Sequence, residues 1–231
     1  MSRFWEHRLI DIREQLLLMS TLTERSFAQS LRALEERSDS LCEAVEENDS
    51  RIDSLEMQID EMVMTFMATH APTASDARMM LALTKISSNL ERAADEATKI
   101  ARRSRELNAQ PRLKTPVDIS AMAEMAKAML HDSISSFVEE TPEKSVEIIR
   151  RDRSVDALKK EIERELIDSM EANPRSVPPA LNLMTIVRAI ERVADHAKNI
   201  AEEVFYLIEA QNIRHESSVK DQPRSGGDAK P

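Results

Sequence analysis

The sequence contains very little glycine and few aromatic residues. Of its 231 residues, 3% are aromatic and only two are glycine, Gly226 and Gly227, both close to the last residue. Strands favour β-branched and aromatic residues, and tight turns favour glycine, so this shortage argues against an all-β or α/β fold. It also excludes the glycine-rich phosphate loops of P-loop and dinucleotide-binding proteins from the folded part of the chain.

Cysteine and long apolar runs are also scarce. A single cysteine, Cys42, excludes a disulfide framework and thiolate zinc sites, and it suits a reducing compartment. No stretch approaches 18 apolar residues, and the first residues lack the apolar segment of a secretory signal, so we expect neither a membrane span nor export. The net charge of −10 argues against a nucleic-acid partner and favours a cation or a basic protein.

Apolar residues instead recur three and four positions apart along most of the chain. This spacing places them on one side of a helix, which then packs against other helices. Proline and capping residues separate the periodic stretches, for example Thr141-Pro142 and the proline-rich residues 173–179. We predict six helices and a disordered tail at 214–231. The predicted helices are 3–36, 39–69, 74–107, 116–140, 142–172 and 178–213.

The sequence also contains an internal repeat. Residues 90–101 read LERAADEATKIA and residues 190–201 read IERVADHAKNIA, with seven of twelve letters identical at an offset of 100. Residues 48–60 and 151–163 match at an offset of 103. Such a pattern is typical of a duplicated helical unit with a connection of different length. We therefore predict an all-α fold of two three-helix bundles with long antiparallel helices, at 1–110 and 115–213. The units could pack end to end or side by side.

Four acidic pairs occupy matching positions in the two repeats. Members of each pair are four residues apart, so both side chains leave the same face of a helix. With 42 acidic residues in 231, chance alone produces about seven or eight such pairs, and most are solvated surface. The evidence for a function is that the pairs recur at corresponding positions of both repeats, although duplication could also copy a pair that has no function. The four pairs are Asp49/Asp53, Glu91/Asp95, Asp152/Asp156 and Glu191/Asp195.

If the second and third helices of a unit are neighbours, their two pairs offer four carboxylates to a cation. Iron, manganese, magnesium, calcium or zinc would suit such oxygen ligands. Lys99 can form an ion pair with Asp95, whereas the second repeat has Asn199 at that position. We therefore expect the second unit to be the better metal site, with Asn199 as a further candidate ligand. His196 could join that site or be a surface residue, and we favour the surface position.

Catalytic arrangements are not recognisable. No histidine has glutamate three residues before it, as a ferritin-like di-iron centre requires, and no nucleophile with a base partner stands out. We therefore predict that the chain is not an enzyme.

The doubled E-R-x-x-D-x-A-x-x-I-A helix resembles the PhoU family, and the resemblance extends over about 1–212. The opening RFWEHRLIDIREQLLLMSTL and the segments EENDSRIDSLEMQID and IIRRDRSVDALKKEIE are similar to that family's first and second helices. The resemblance implies a cytoplasmic, non-enzymatic negative regulator of phosphate uptake and of the phosphate-starvation regulon. Its expected partners are the transporter ATPase PstB and the sensor histidine kinase PhoR, with membranes reached only through them, and a homodimer is expected.

The resemblance also implies multinuclear iron or zinc on the four acidic pairs. Lys99 departs from the family's asparagine, which weakens this expectation for the first repeat. Two alternatives stay open: a metal-binding bundle with a storage or catalytic role, and a metal-free structural or interaction bundle.

Overall fold

Long helices make up nearly all of the computed structural model, which describes residues 3–69, 71–110 and 118–213. The predicted all-α fold is confirmed, and the described residues contain no strand. The predicted tail at 214–231 lies outside the described residues, as do residues 111–117 of the connection between the repeats. The helices are α1 Arg3–Glu36, α2 Asp39–Thr69, α3 Ala74–Asn108, α4 Ser120–Glu139, α5 Pro142–Ala172 and α6 Val177–Glu209, with a 3₁₀ turn at Pro174–Ser176.

Local side-chain chemistry sets the helix ends. Thr73 and Asp76 form a capping box at the start of α3: the Asp76 amide donates to Thr73 Oγ1 at 3.3 Å, and the Thr73 amide donates to Asp76 Oδ2 at 2.9 Å. Two predicted helix ends were wrong by more than one residue. Helix α6 stops at Glu209, not 213, because Ala210 adopts the left-handed conformation at φ 56°. Helix α4 begins only at Ser120, whose amide donates to Asp118 Oδ1.

Each set of three consecutive helices forms one bundle. Helix α3 packs against α1 and α2, and α6 packs against α4 and α5. The predicted apolar stripes form the core, with side chains from all six helices in one continuous cluster. Burying each aliphatic side chain of this kind contributes roughly 1.5–3 kcal/mol. Fully buried members of the α3 and α6 stripes are Leu83, Ile86, Leu90, Ala93, Ala97, Ile100, Ile186, Ile190, Val193, Ala197, Ile200 and Val204.

The two bundles lie side by side, because α3 and α6 pack against each other along their lengths. Lys85 pairs with Glu203 at 3.3 Å, whereas Arg192 pairs with Glu96 at 2.8 Å. Early residues of α3 therefore meet late residues of α6, so the two helices run antiparallel. Matching residues of the two repeats are thus related by an approximate half turn.

Candidate functional site

Acidic side chains line the contact between α2 and α3. Four residues of α2 at spacings of four, three and four share one face, and four residues of α3 face them. Thr98 donates from Oγ1 to Asp49 Oδ1 at 3.1 Å, which fixes the register of the two helices at one end of the row. We call this row the first seam. Its members are Asp49, Asp53, Glu56 and Asp60 of α2, and Ser88, Glu91, Asp95 and Thr98 of α3.

The carboxylates of the first seam lie close enough to repel one another. Burial, together with the charges of Asp95, Glu56 and Asp53, raises the pKa of Glu91 from its ordinary 4.5 to about 7. Burial likewise raises the pKa of Asp49, opposed by the Thr98 hydrogen bond and assisted by the charges of Asp53 and Asp95. The convergence predicted for the two acidic pairs of the first unit is thus present.

The first seam has no paired basic side chain within the part of the chain that the structure describes. Within the described residues, none of its six carboxylates forms an ion pair, and Arg92 and Arg102 act on it only at longer range. Asp60 Oδ1 is buried and has no hydrogen-bond partner among those residues. No three histidine, cysteine or acidic side chains of the described part already form a group that could hold a metal ion. The row therefore supplies charge and oxygen donors, and a bound cation would require side-chain rotation.

The matching row between α5 and α6 also brings its acidic pairs together, but it contains basic residues. Lys198 Nζ lies 2.6 Å from Asp152 Oδ2 and 3.6 Å from Asp195 Oδ1, so it bridges carboxylates from both helices. Lys159 Nζ lies 3.0 Å from Glu191 Oε1. We call this row the second seam. Its members are Asp152, Asp156, Lys159 and Glu163 of α5, and Arg188, Glu191, Asp195 and Lys198 of α6.

Lys198 is held in its charged form. Burial alone would lower its pKa, but the hydrogen bond and the charge of Asp152 outweigh that effect, and the net pKa is raised. Asp152 is only 8% exposed, so the ammonium is its main source of compensation. Basic side chains of the seam thus pair with four of its five carboxylates, all except Asp156.

The reason for preferring the second unit as a metal site was wrong. Lys99 does not pair with Asp95; its ammonium lies 2.7 Å from Glu96 Oε2, on the side of α3 that faces α6. Asn199 donates to Asn89 across the same interface at 3.3 Å, away from the seam. The spacing along α3 allows Lys99 to pair with either Asp95 or Glu96. Glu96 is buried, and the attraction between opposite charges is stronger where water is excluded.

His196 was also predicted wrongly, because it is buried between the two bundles and only 6% exposed. Its Nδ1 lies 3.2 Å from Asn89 Oδ1, while Nε2 has no partner among the described residues. Burial, with the nearby Arg192 and Arg92 charges, lowers its pKa to about 4. The ring is therefore neutral at pH 7, and it borders an open cleft of about 580 Å³ between α3, α5 and α6.

Comparison with known proteins matches both bundles to one family. The family model described as PhoU domain matches residues 16–104 and 119–204, which is most of the chain and one copy per repeat. The chain belongs to the PhoU family.

PhoU relatives match over nearly their whole length. The Aquifex aeolicus PhoU homologue is 36% identical over 208 residues, covering 90% of this chain and 94% of its own. The Escherichia coli protein, named phosphate-specific transport system accessory protein PhoU, is 31% identical over 207 residues, covering 90% and 86%. The crystal structure of PhoU from Pseudomonas aeruginosa has a TM-score of 0.88 at 31% identity, covering 90% of this chain and all of that one.

Several side chains of this PhoU chain that shape the seams were missed by the sequence analysis. Continuing the offsets of 103 and 100 beyond the acidic pairs would have found them. Glu56 and Asp60 match Lys159 and Glu163, while Ser88 and Thr98 match Arg188 and Lys198. Comparing these positions shows that charge, not only spacing, differs between the repeats.

None of the helices within the described ranges combines the length and the apolar character needed to cross a membrane.

Proposed function

We propose that this chain is a phosphate-specific transport system accessory protein that represses phosphate uptake and the phosphate-starvation regulon when phosphate is plentiful. The observation that carries the proposal is the double PhoU domain, with full-length relatives that bear that name at 31–36% identity. The chain works in the cytoplasm, without nucleic-acid binding or an enzymatic step. It links the transporter ATPase PstB to the sensor kinase PhoR by docking to each, and reaches the membrane through them. We propose that it does so as a homodimer.

The first seam supports a role for a bound cation in this function. Among the described residues, the six carboxylates have no paired cation and one of them, Asp60, has a buried oxygen without a hydrogen-bond partner; such a row suits hard or borderline ions such as iron or zinc. Asp49, Asp53, Glu91 and Asp95 would hold the metal, and bridging carboxylates would allow more than one ion. Bound there, the metal would cross-link α2 and α3. The four matching carboxylates of the second repeat are Asp152, Asp156, Glu191 and Asp195.

Deletion of the gene tests the regulatory proposal. A reporter driven by a phosphate-repressed promoter should switch on in high phosphate after deletion, and the wild-type gene should restore repression. The purified chain should retain PstB and PhoR in pull-down experiments. A reporter that stays off in the deletion strain would refute the regulatory role, whatever the metal content of the protein.

Variants of the first seam separate the adaptor from its alternatives. Glu91→Gln with Asp95→Asn should weaken repression, whereas the metal-free structural alternative predicts no effect. A storage or catalytic role predicts metal uptake or turnover that tracks bound metal without any change in the reporter. Circular dichroism would first establish that the variant is folded.

A further inference from the structure

Basic residues enter the second seam at three positions where the first seam has none. Each lies on the shared face of α5 or α6, and each is related to an acidic or hydroxyl residue by the repeat offset. The difference is therefore confined to equivalent positions of one architecture, and it is not a difference of fold. The three replacements, first repeat against second, are Glu56 by Lys159, Ser88 by Arg188 and Thr98 by Lys198.

Lys198 occupies the point where the two helices bring their carboxylates together. It reaches Asp152 on α5 and Asp195 on its own helix, as a cation bridging the helices would do. At the same place in the first repeat the hydroxyl of Thr98 contacts Asp49 and adds no charge. One contact is thus an ion pair with a buried carboxylate, and the other is a neutral donor.

The other two basic residues continue the same pattern. The Lys159 ammonium lies against Glu191, whose side chain is 16% exposed, and Arg188 Nε lies 2.9 Å from Glu163 Oε1. In the first repeat, Glu56 adds a negative charge beside Glu91 instead of pairing with it. The second seam therefore has five carboxylates with three basic side chains, while the first has six with none.

We propose that the ammonium groups of Lys159 and Lys198 take the place of a bound cation in the second seam, so that this chain binds divalent metal only through the first. A metal entering the second seam would have to displace both ammonium groups and leave them beside a doubly charged ion. The inference rests on the metal-binding part of the proposed function, and it removes the second repeat from the predicted site.

A reciprocal exchange between the repeats tests this inference, because each repeat supplies the other's control. One variant, Lys159→Glu with Lys198→Thr, gives the second seam the first seam's residues at these two positions and leaves Arg188 paired with Glu163. Its counterpart, Glu56→Lys with Thr98→Lys, does the reverse. Binding of Mn²⁺ is measured by equilibrium dialysis with elemental analysis, together with the thermal shift that Mn²⁺ produces, on full-length protein freed of metal by chelation.

We expect Glu56→Lys with Thr98→Lys to weaken Mn²⁺ binding at least tenfold. We expect Lys159→Glu with Lys198→Thr to add Mn²⁺ that is lost again with Glu191→Gln. In the wild-type background, Asp53→Asn with Asp95→Asn should remove bound Mn²⁺. The matched control, Asp156→Asn with Asp195→Asn, should leave it unchanged.

Equal loss of Mn²⁺ from both asparagine variants would overturn the inference, as would a folded Lys159→Glu, Lys198→Thr protein that gains none. If that variant lacks helical circular dichroism, Lys159→Gln with Lys198→Gln removes both ammonium charges while keeping polar side chains of similar length, and it decides the question. A wild-type chain that binds no Mn²⁺ would refute metal binding by the first seam. The exchange would then still show whether the two lysines exclude metal from the second.

Discussion

Lys198 is the side chain whose removal should show most directly how the second seam is held together. Its ammonium lies 2.6 Å from Asp152, a residue with 8% of its surface exposed, so Lys198→Met leaves a buried carboxylate without its cation. Breaking a buried ion pair from one side costs about 3–5 kcal/mol. Because Lys198 retains 28% of its side-chain exposure, we expect a loss near the lower end, about 3 kcal/mol at pH 7.

The first repeat offers a matched reference for this loss. Thr98→Val removes one hydrogen bond to the less buried Asp49, which should cost about 1.5 kcal/mol. In the second repeat, adding Asp152→Asn to Lys198→Met removes the unpaired charge and should recover at least about 1 kcal/mol. The sign of that recovery distinguishes an electrostatic role of Lys198 from loss of its packing.

Urea unfolding followed by circular dichroism, with a chelator present to exclude metal, measures each free energy of unfolding. If Lys198→Met lowers the free energy of unfolding no more than Thr98→Val does, or if adding Asp152→Asn lowers it further, then Lys198 does not stabilise the fold by compensating the charge of Asp152.

Two further predictions concern buried residues of α6. The pKa of His196 is about 4 when folded and about 6.5 when unfolded, so between pH 6.5 and pH 4 the unfolded chain takes up the proton first and stability is lost, by about 3 kcal/mol. The excess stability of wild type over His196→Asn should shrink by that amount in urea titrations from pH 7.5 to 4, and a constant difference would contradict it. Ala194→Leu should overpack the core around α6 and cost about 1–3 kcal/mol by thermal or urea unfolding, whereas the exposed Leu181→Ala should change little.

Most of the fold could be predicted from the sequence because its signals are local. The 3–4 spacing of apolar residues marks the buried face of each helix, and prolines with capping residues such as Thr73 mark the ends. The ends that differ depend on single backbone conformations. Ala210 takes the left-handed conformation at the end of α6, where glycine is the usual residue, so the sequence gives no signal for this helix end.

The candidate site could be predicted only in part, because its electrostatics depend on contacts between helices. The repeated register correctly indicated that the acidic pairs of α2 and α3 converge. Spacing along one helix could not show that Lys99 turns to Glu96, or that a second bundle buries His196. In a single three-helix bundle the polar side of α3 would be exposed to solvent, but in this protein α6 of the other bundle packs against it.

The antiparallel crossing of α3 and α6 has a consequence for recognition. A half turn about an axis through the α3–α6 contact nearly superposes one repeat on the other, so a partner that recognises only backbone shape could bind in two equivalent orientations. The differing charges of the paired acidic rows break that degeneracy. A partner sensitive to electrostatic potential could then distinguish the first repeat from the second, although the two repeats have the same backbone fold.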